Sequence, residues 1–221
     1  MIRAVILDFD GVLLDSAHVK TNAFHALFQE ICPDRVEEAI AYHLANEGIS
    51  RYVKFQAIYA ELLRRPLSEA QNQELGRRFA ALVREELLRV PFVAGTLEFL
   101  SDATARGART LFVVSGTPED ELHTIAKARR VFELVAEWHG SPRSKSQIVH
   151  EILRRHRLRP EDAVLVGDAL SDRRAAEDTG VTFIGRSADG RFDDCAWRIA
   201  DFRELPGVLR RLERRTEGGG P

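Results

Sequence analysis

Asp8 and Asp10 stand one residue apart at the end of the apolar run in IRAVILDFDGV, with Gly11 directly after them. Alternate side chains of a strand share a face, so both carboxylates would project to one side, just beyond the hydrophobic stretch. Gly11 would let the backbone turn closely around a ligand. Two carboxylates this close repel each other unless a cation or a shared proton separates them. Aspartates also serve as simple turn or cap residues at strand ends, and the pair alone leaves both readings open.

Three further groups carry the same ambiguity. Ser115 and Gly116 follow the apolar run LFVV. Their hydroxyl and amide are free either to meet an anion or simply to be solvated, and Thr117-Pro118-Glu119-Asp120 reads as a helix start capped by Thr117. Ser144 and Gln147 form a capping-box pattern that puts Lys145 in the first turn of a helix. A positive charge there opposes the helix dipole, and a bound anion would give it a purpose that a solvated surface lysine lacks. Gly167-Asp168 ends the run AVLV, and Asp172 follows four residues later near a helix start. One carboxylate at a strand tip and another a turn away suit a metal ligand and a residue that orients it, and Asp172 can be a helix cap as well.

The elements that must position these residues show two kinds of periodicity. Short β-branched runs at 2–7, 110–114, 163–166 and 181–184 are bounded by Gly, Asp or Ser, as in strands buried on both faces. Helical spacing between the last three predicts a doubly wound α/β parallel sheet, with a further short strand over Leu134–Trp138 and a closing helix over Leu205–Leu212. Between them, residues 17–89 repeat apolar residues only at three- and four-residue steps. The four stripes are Phe24, Leu27, Phe28 and Ile31; Val36, Ile40 and Leu44; Tyr52, Phe55, Tyr59 and Leu62; and Leu75, Phe79, Leu82 and Val83. Ser68 and Gln71 cap the fourth. The reading is a core of 1–16 and 90–215, a four-helix insert over 17–89 hinged near Ser16 and Pro91, and a disordered tail over 216–221. All four chemical groups fall at the carboxyl ends of strands, where open parallel sheets bind ligands.

Composition narrows the partners. The chain has 221 residues, with 32 Lys plus Arg against 34 Asp plus Glu and a net charge of −2. That balance supplies no general attraction to nucleic acid or to an anionic membrane. Cys32 and Cys195 are far apart and lack metal-ligand spacing, which predicts a reducing, cytoplasmic setting. The short apolar run before Asp8 is too brief for a signal-peptide core or a membrane span.

The four groups, in this order, resemble the haloacid dehalogenase (HAD) superfamily of phosphohydrolases, which combine a Rossmann-like core with a cap. DFDGVLLDS and VGDALSD followed by AAEDTGV are close to the branch of phosphoglycolate phosphatases and β-phosphoglucomutases. The resemblance implies that Asp8 is the nucleophile, forming an aspartyl phosphate, and Asp10 the general acid and base. Mg2+ is then held by Asp8, the backbone carbonyl of Asp10 and Asp168, with Asp172 supporting. Gly11, Ser115, Gly116 and Lys145 hold the phosphate. Asp10 separates the chain from dehalogenating members, which usually lack it. Two departures stand out: Ser141-Pro142-Arg143-Ser144-Lys145 replaces the branch's usual Lys-Pro-x-Pro, and Lys20 stands where mutases tend to have histidine. Gly48-Ile49-Ser50-Arg51, in a predicted loop between the second and third cap helices, resembles the mutases' specificity loop and offers Arg51 to a second anionic group. The implied function is a Mg2+-dependent phosphatase acting on a small phosphorylated metabolite. A sugar phosphomutase is the alternative, and a non-hydrolytic phospho-acceptor module the third; such modules lack a helical insert of this size.

Overall fold

Strand β1 (Ala4–Leu7) is buried along its whole length. Val5 and Leu7 enter one hydrophobic cluster while Ala4 and Ile6 enter another, so the two-residue alternation of a strand divides its side chains between the two faces of a sheet. The computed structural model describes residues 1–107, 109–187 and 190–217. Its sheet also contains β2 (Thr110–Pro118), β3 (Glu137–Ser141), β4 (Ala163–Gly167), β5 (Thr182–Arg186) and β6 (Arg198–Ile199). The order is β3-β2-β1-β4-β5-β6, and every pairing is parallel. Strand order reverses around β1, so the crevice beyond the ends of β1 and β4 is the natural ligand site.

Helices α1 (Ala17–Ile31), α2 (Val36–Ala45), α3 (Arg51–Ala57) and α4 (Glu69–Arg89) follow β1 with no strand between them, and α3 runs on into a π-helical turn over Ile58–Leu62. Phe24, Phe28, Phe55 and Phe79 pack ring against ring at their centre. Ser68 caps α4 through the predicted reciprocal bonds with Gln71. The chain leaves and rejoins the sheet through one two-stranded neck, where the Asp15 amide donates to the Pro91 carbonyl and the Val93 amide to that of Leu13, each at 3.0 Å. Beyond it come α5 (Thr96–Arg106), α6 (Glu119–Ala128), α7 (Lys145–Arg155), α8 (Leu170–Thr179) and α9 (Leu205–Glu217).

Several expectations shift. The strand expected over 134–138 is β3, moved toward the C-terminus, with a 3-10 turn over Phe132–Leu134. Its polar end, His139-Gly140-Ser141, is buried because Gly140 passes against the backbone of Thr117 and Glu119, where a Cβ would not fit. Strand β2 likewise continues through polar Ser115 to Pro118. Leu44 and Leu82 lie 46% and 48% exposed, outside the stripes they were assigned to. Helix α9 reaches Glu217, into the segment expected to be a disordered tail; residues 218–221 lie outside the described residues. Among the described residues no helix is long and apolar enough to cross a membrane.

Candidate active site

The Asp8 amide donates to the Val166 carbonyl at 3.0 Å, carrying the β1–β4 ladder one residue past the strand and setting the carboxylate at the crevice. Facing it is Lys145, the first residue of α7, whose Nζ lies 3.0 Å from Asp8 Oδ2 and 2.7 Å from Asp172 Oδ1. The expected capping box fixes the helix start: the Gln147 amide donates to Ser144 Oγ at 3.2 Å, and the Ser144 amide to Gln147 Oε1 at 2.9 Å. Asp172 Oδ2 accepts from the Ala169 amide at 3.2 Å, so Asp172 closes the start of α8 and anchors Lys145 at once. Burial pulls the Lys145 ammonium down, but the charges of Asp172 and Asp8 outweigh it and leave the group above its ordinary value.

Carboxylate oxygens of Asp8, Asp168 and Asp172 lie within 4.8 Å of one another. Burial first, then the charges of Asp172 and Asp10, push Asp8 up to about 7 against the pull of Lys145. Asp168 is raised well above its ordinary value by burial and by Asp8 and Asp172. With all three ionised, two buried carboxylates and the partly buried Asp168 facing one lysine would leave an excess of two negative charges, which a divalent cation with oxygen ligands would neutralise. The donor set fits such an ion. Both Asp172 oxygens are already engaged by Lys145 and Ala169, which leaves Asp8 and Asp168 as the side chains that could ligate such an ion and suits Asp172 to a supporting position. Gly11 adopts φ +77, and a Cβ there would run into the Asp168 carboxylate. Its amide is taken by the Leu14 carbonyl at 2.8 Å, so its part in the site is clearance rather than a phosphate-binding N–H.

Asp10 is held by other partners. Ser16 Oγ donates to Oδ1 at 3.0 Å, Thr117 Oγ1 donates to Oδ2 at 2.9 Å, and the Lys20 ammonium pairs with the same oxygen. Burial alone would raise Asp10; the Lys20 charge and these hydrogen bonds overcome it and hold the carboxyl below its ordinary value. Thr117 is therefore no helix cap. Strand β2 continues past it, Pro118 takes the cap position of α6, and the Thr117 hydroxyl serves Asp10. Ser115 Oγ accepts from the Thr117 amide at 3.1 Å, which leaves its own proton available to the cavity it lines.

The helical segment closes the cavity with Lys20, His43, Glu47, Gly48, Ile49 and Lys54. Gly48, at φ +75, packs so tightly that a Cβ would meet Ser171 Oγ and approach Lys145 Nζ to 3.1 Å, and a Cβ on Gly116 would strike the Gly48 carbonyl. Arg191 spans the same seam, donating to Glu47 Oε2 at 2.5 Å and to the Asp168 carbonyl at 3.2 Å. Arg51 begins α3 instead of lying in a loop. It is 6% exposed and paired with Glu121 on α6, with its guanidinium 5.1 Å from the Phe79 ring centre.

Sequence reasoning singled out Lys20 only as a departure from mutases and passed over His43, Glu47 and Lys54. On α3 the predicted apolar stripe starts at Tyr52, whereas the buried face is Arg51, Lys54, Phe55 and, one turn on, Ile58. Two cations on a buried face are invisible to a reading that counts apolar residues.

The model of the haloacid dehalogenase-like hydrolases matches residues 2–180. The chain belongs to this family. Within the haloacid dehalogenase-like hydrolases it is 26% identical over 189 residues to a phosphoglycolate phosphatase of Nitrosospira multiformis, covering 81% of this chain and 80% of the relative. Its fold matches a β-phosphoglucomutase from Clostridium difficile with a TM-score of 0.81 at 14% identity, over 98% of this chain and 99% of that one. It also matches the protein CbbY from Rhodobacter sphaeroides in complex with xylulose-(1,5)bisphosphate, with a TM-score of 0.71 at 20% identity, over 94% and 99%. These likenesses support the branch of the family that holds phosphoglycolate phosphatases and β-phosphoglucomutases.

Proposed function

We propose that this enzyme is a Mg2+-dependent phosphatase that hydrolyses a small phosphomonoester through an aspartyl phosphate on Asp8. The observation that carries the reading is the division between the two aspartates at the end of β1: Asp8 faces Lys145 and Asp168, while Asp10 is gripped by Ser16, Lys20 and Thr117. Asp8 and Asp168, with the Asp10 carbonyl, would hold Mg2+, which when bound offsets the repulsion between a carboxylate nucleophile and a phosphate dianion. An Asp8 oxygen attacks phosphorus as the P–O bond to the alcohol breaks, splitting one displacement into two. Lys145 and Ser115 stabilise the phosphoryl oxygens as their charge shifts. Asp10 gives a proton to the departing alkoxide and later takes one from the water that attacks the phospho-enzyme. Asp10 is ionised in the resting site, the form that the second half needs, so for the first half it must take up a proton from solvent or from the bound monoester before it gives one to the alkoxide.

Phosphate release from p-nitrophenyl phosphate tests this directly. Activity is expected with Mg2+ and lost in EDTA and in Asp8→Asn. Full activity in either case rules out the metal-assisted covalent route. The tight seam between Gly48 and Gly116 favours a second reading, a sugar phosphomutase that shields its phospho-enzyme from water. Conversion of β-glucose 1-phosphate to the 6-phosphate without net phosphate release would select it.

A further inference from the structure

Lys54 lines the cavity that contains Asp8, Asp10 and Asp168, yet is only 4% exposed. Its Nζ lies 3.1 Å from His43 Nδ1 and 5.2 Å from the centre of the Phe24 ring. Among the described residues no carboxylate lies within ion-pair distance of it. The other two lysines at the cavity differ, since Lys20 is paired with Asp10, and Lys145 with Asp8 and Asp172.

His43 fixes the direction of Lys54. When charged, Lys54 can only donate, so His43 Nδ1 then accepts from it and the ring proton sits on Nε2, which faces Thr21 Oγ1 at 3.3 Å. Phe24 stacks on the imidazole with ring centres 4.1 Å apart. Burial above all, with the nearby charges of Lys20 and His43's other neighbour Lys54 itself, pulls His43 far below its ordinary value to about 3, so the ring is neutral. A neutral imidazole accepts one hydrogen bond and offers no counter-charge. His43 takes one donor of Lys54, which lines the cavity, and burial pulls the lysine's own ammonium down to about 7. Burying a charge without an opposite partner is unfavourable. A ligand anion would supply the partner.

The location says which part of the ligand that is. Asp8, Ser115 and Lys145 stand at the sheet, where the phosphoryl group reacts, and Lys54 stands across the cavity on the helical side, where the alcohol portion must lie. We propose that Lys54, steadied by His43, receives a second anionic group, a carboxylate or a second phosphate, on the alcohol portion of the phosphomonoester. This makes Lys54 a specificity-determining residue. The inference rests on the phosphatase reading for the orientation of the ligand, but its test does not require turnover.

Calorimetric binding to the Asp8→Asn protein in Mg2+ should show phosphoglycolate or xylulose-1,5-bisphosphate binding at least about tenfold tighter than ethyl phosphate, since a charged hydrogen bond is being compared with none. The larger of the two preferences identifies carboxylate or phosphate as the second anion. In Asp8→Asn/Lys54→Met the preference should collapse toward one. In Asp8→Asn/Lys54→Gln, which keeps a donor and loses only the charge, most of it should go. The selectivity ratio is an internal control for any general loss of binding. Absence of the preference in Asp8→Asn, or its survival in both double variants, overturns the proposal. A preference that depends on Lys54 in a protein whose wild type releases no phosphate from these three esters or from p-nitrophenyl phosphate would uphold the anion site and reject the phosphatase reading.

Discussion

Asp8 and Asp10 are the same side chain two positions apart, and their surroundings make them opposites: burial and then neighbouring carboxylates raise the first, while a lysine with two hydroxyls overcomes burial and lowers the second. If Asp10 carries the proton in both half-reactions, Asp10→Asn should slow hydrolysis of an alkyl phosphate by about two to four orders of magnitude. The loss should be much smaller for p-nitrophenyl phosphate, whose leaving group departs without help, and equal losses on both would assign Asp10 a structural role. Lys54 yields a stability prediction with a definite sign. Its pKa falls from 10.5 to about 7 on folding, through burial and the charge of Lys20, with Lys145 adding to the fall and Glu47 and Asp10 opposing it. Below about pH 7 both folded and unfolded chains hold the proton, and the full cost of burying the charge is borne. Between about pH 7 and 10.5 the folded chain has shed the proton while the unfolded chain still binds it, so stability rises with pH. Lys54→Met should therefore raise Tm at pH 7 by several degrees, each kcal/mol being worth roughly 2–4 °C in a chain of this size. The gain should shrink as the pH is taken toward 10; thermal melts across that range check it.

At the level of elements, much of the arrangement was legible because it is written in local chemistry. The capping boxes at Ser68 and Ser144 name their helices by a spacing that needs no tertiary context, and Ser144 places Lys145. Strands β1 and β4, buried on both faces, announce themselves as unbroken apolar runs that stop at Asp8 and Asp168. What was not legible depends on neighbours distant in sequence. Thr117 reads as a helix cap until Asp10, 107 residues away, claims its hydroxyl. Strand β3 is polar where it is buried, and α3 turns two cations inward, so hydrophobic patterning misplaced one and rotated the other. The Gly48 loop has little room. Gly48→Val would be strained at φ +75 and would push into Ser171 and toward Lys145. Activity should fall at least about tenfold while the circular dichroism spectrum keeps its α/β form, because the clash lies at the seam and not within either set of packed elements. A variant with wild-type activity would mean that the seam opens without cost.

For the whole molecule, the question is what holds the helical segment against the sheet. Arg51 and Glu121 join α3 to α6, and Arg191 joins the Glu47 loop to the Asp168 carbonyl. An anion-binding role for Arg51 would require breaking its pair with Glu121. Arg51→Met keeps the packing on Phe79 and removes the tie. Hydrogen exchange should then quicken several-fold in residues 47–52 and 115–121 and stay slow in β1 and β4, and uniform quickening would instead point to lost global stability. The two-stranded neck at Leu13–Asp15 and Pro91–Val93 has a consequence for how such a molecule can be altered. Because the chain departs and returns through adjacent, hydrogen-bonded segments, the sheet senses the helices as a loop whose ends are already joined. Lengthening such a loop costs free energy only with the logarithm of its length. A differently shaped helical module grafted between those two segments would meet the same Asp8, Lys145 and Asp168. The neck is thus a splice point at which the walls of the cavity can be exchanged around Asp8, Lys145 and Asp168, provided that the new module supplies Asp10 with a partner in place of Lys20.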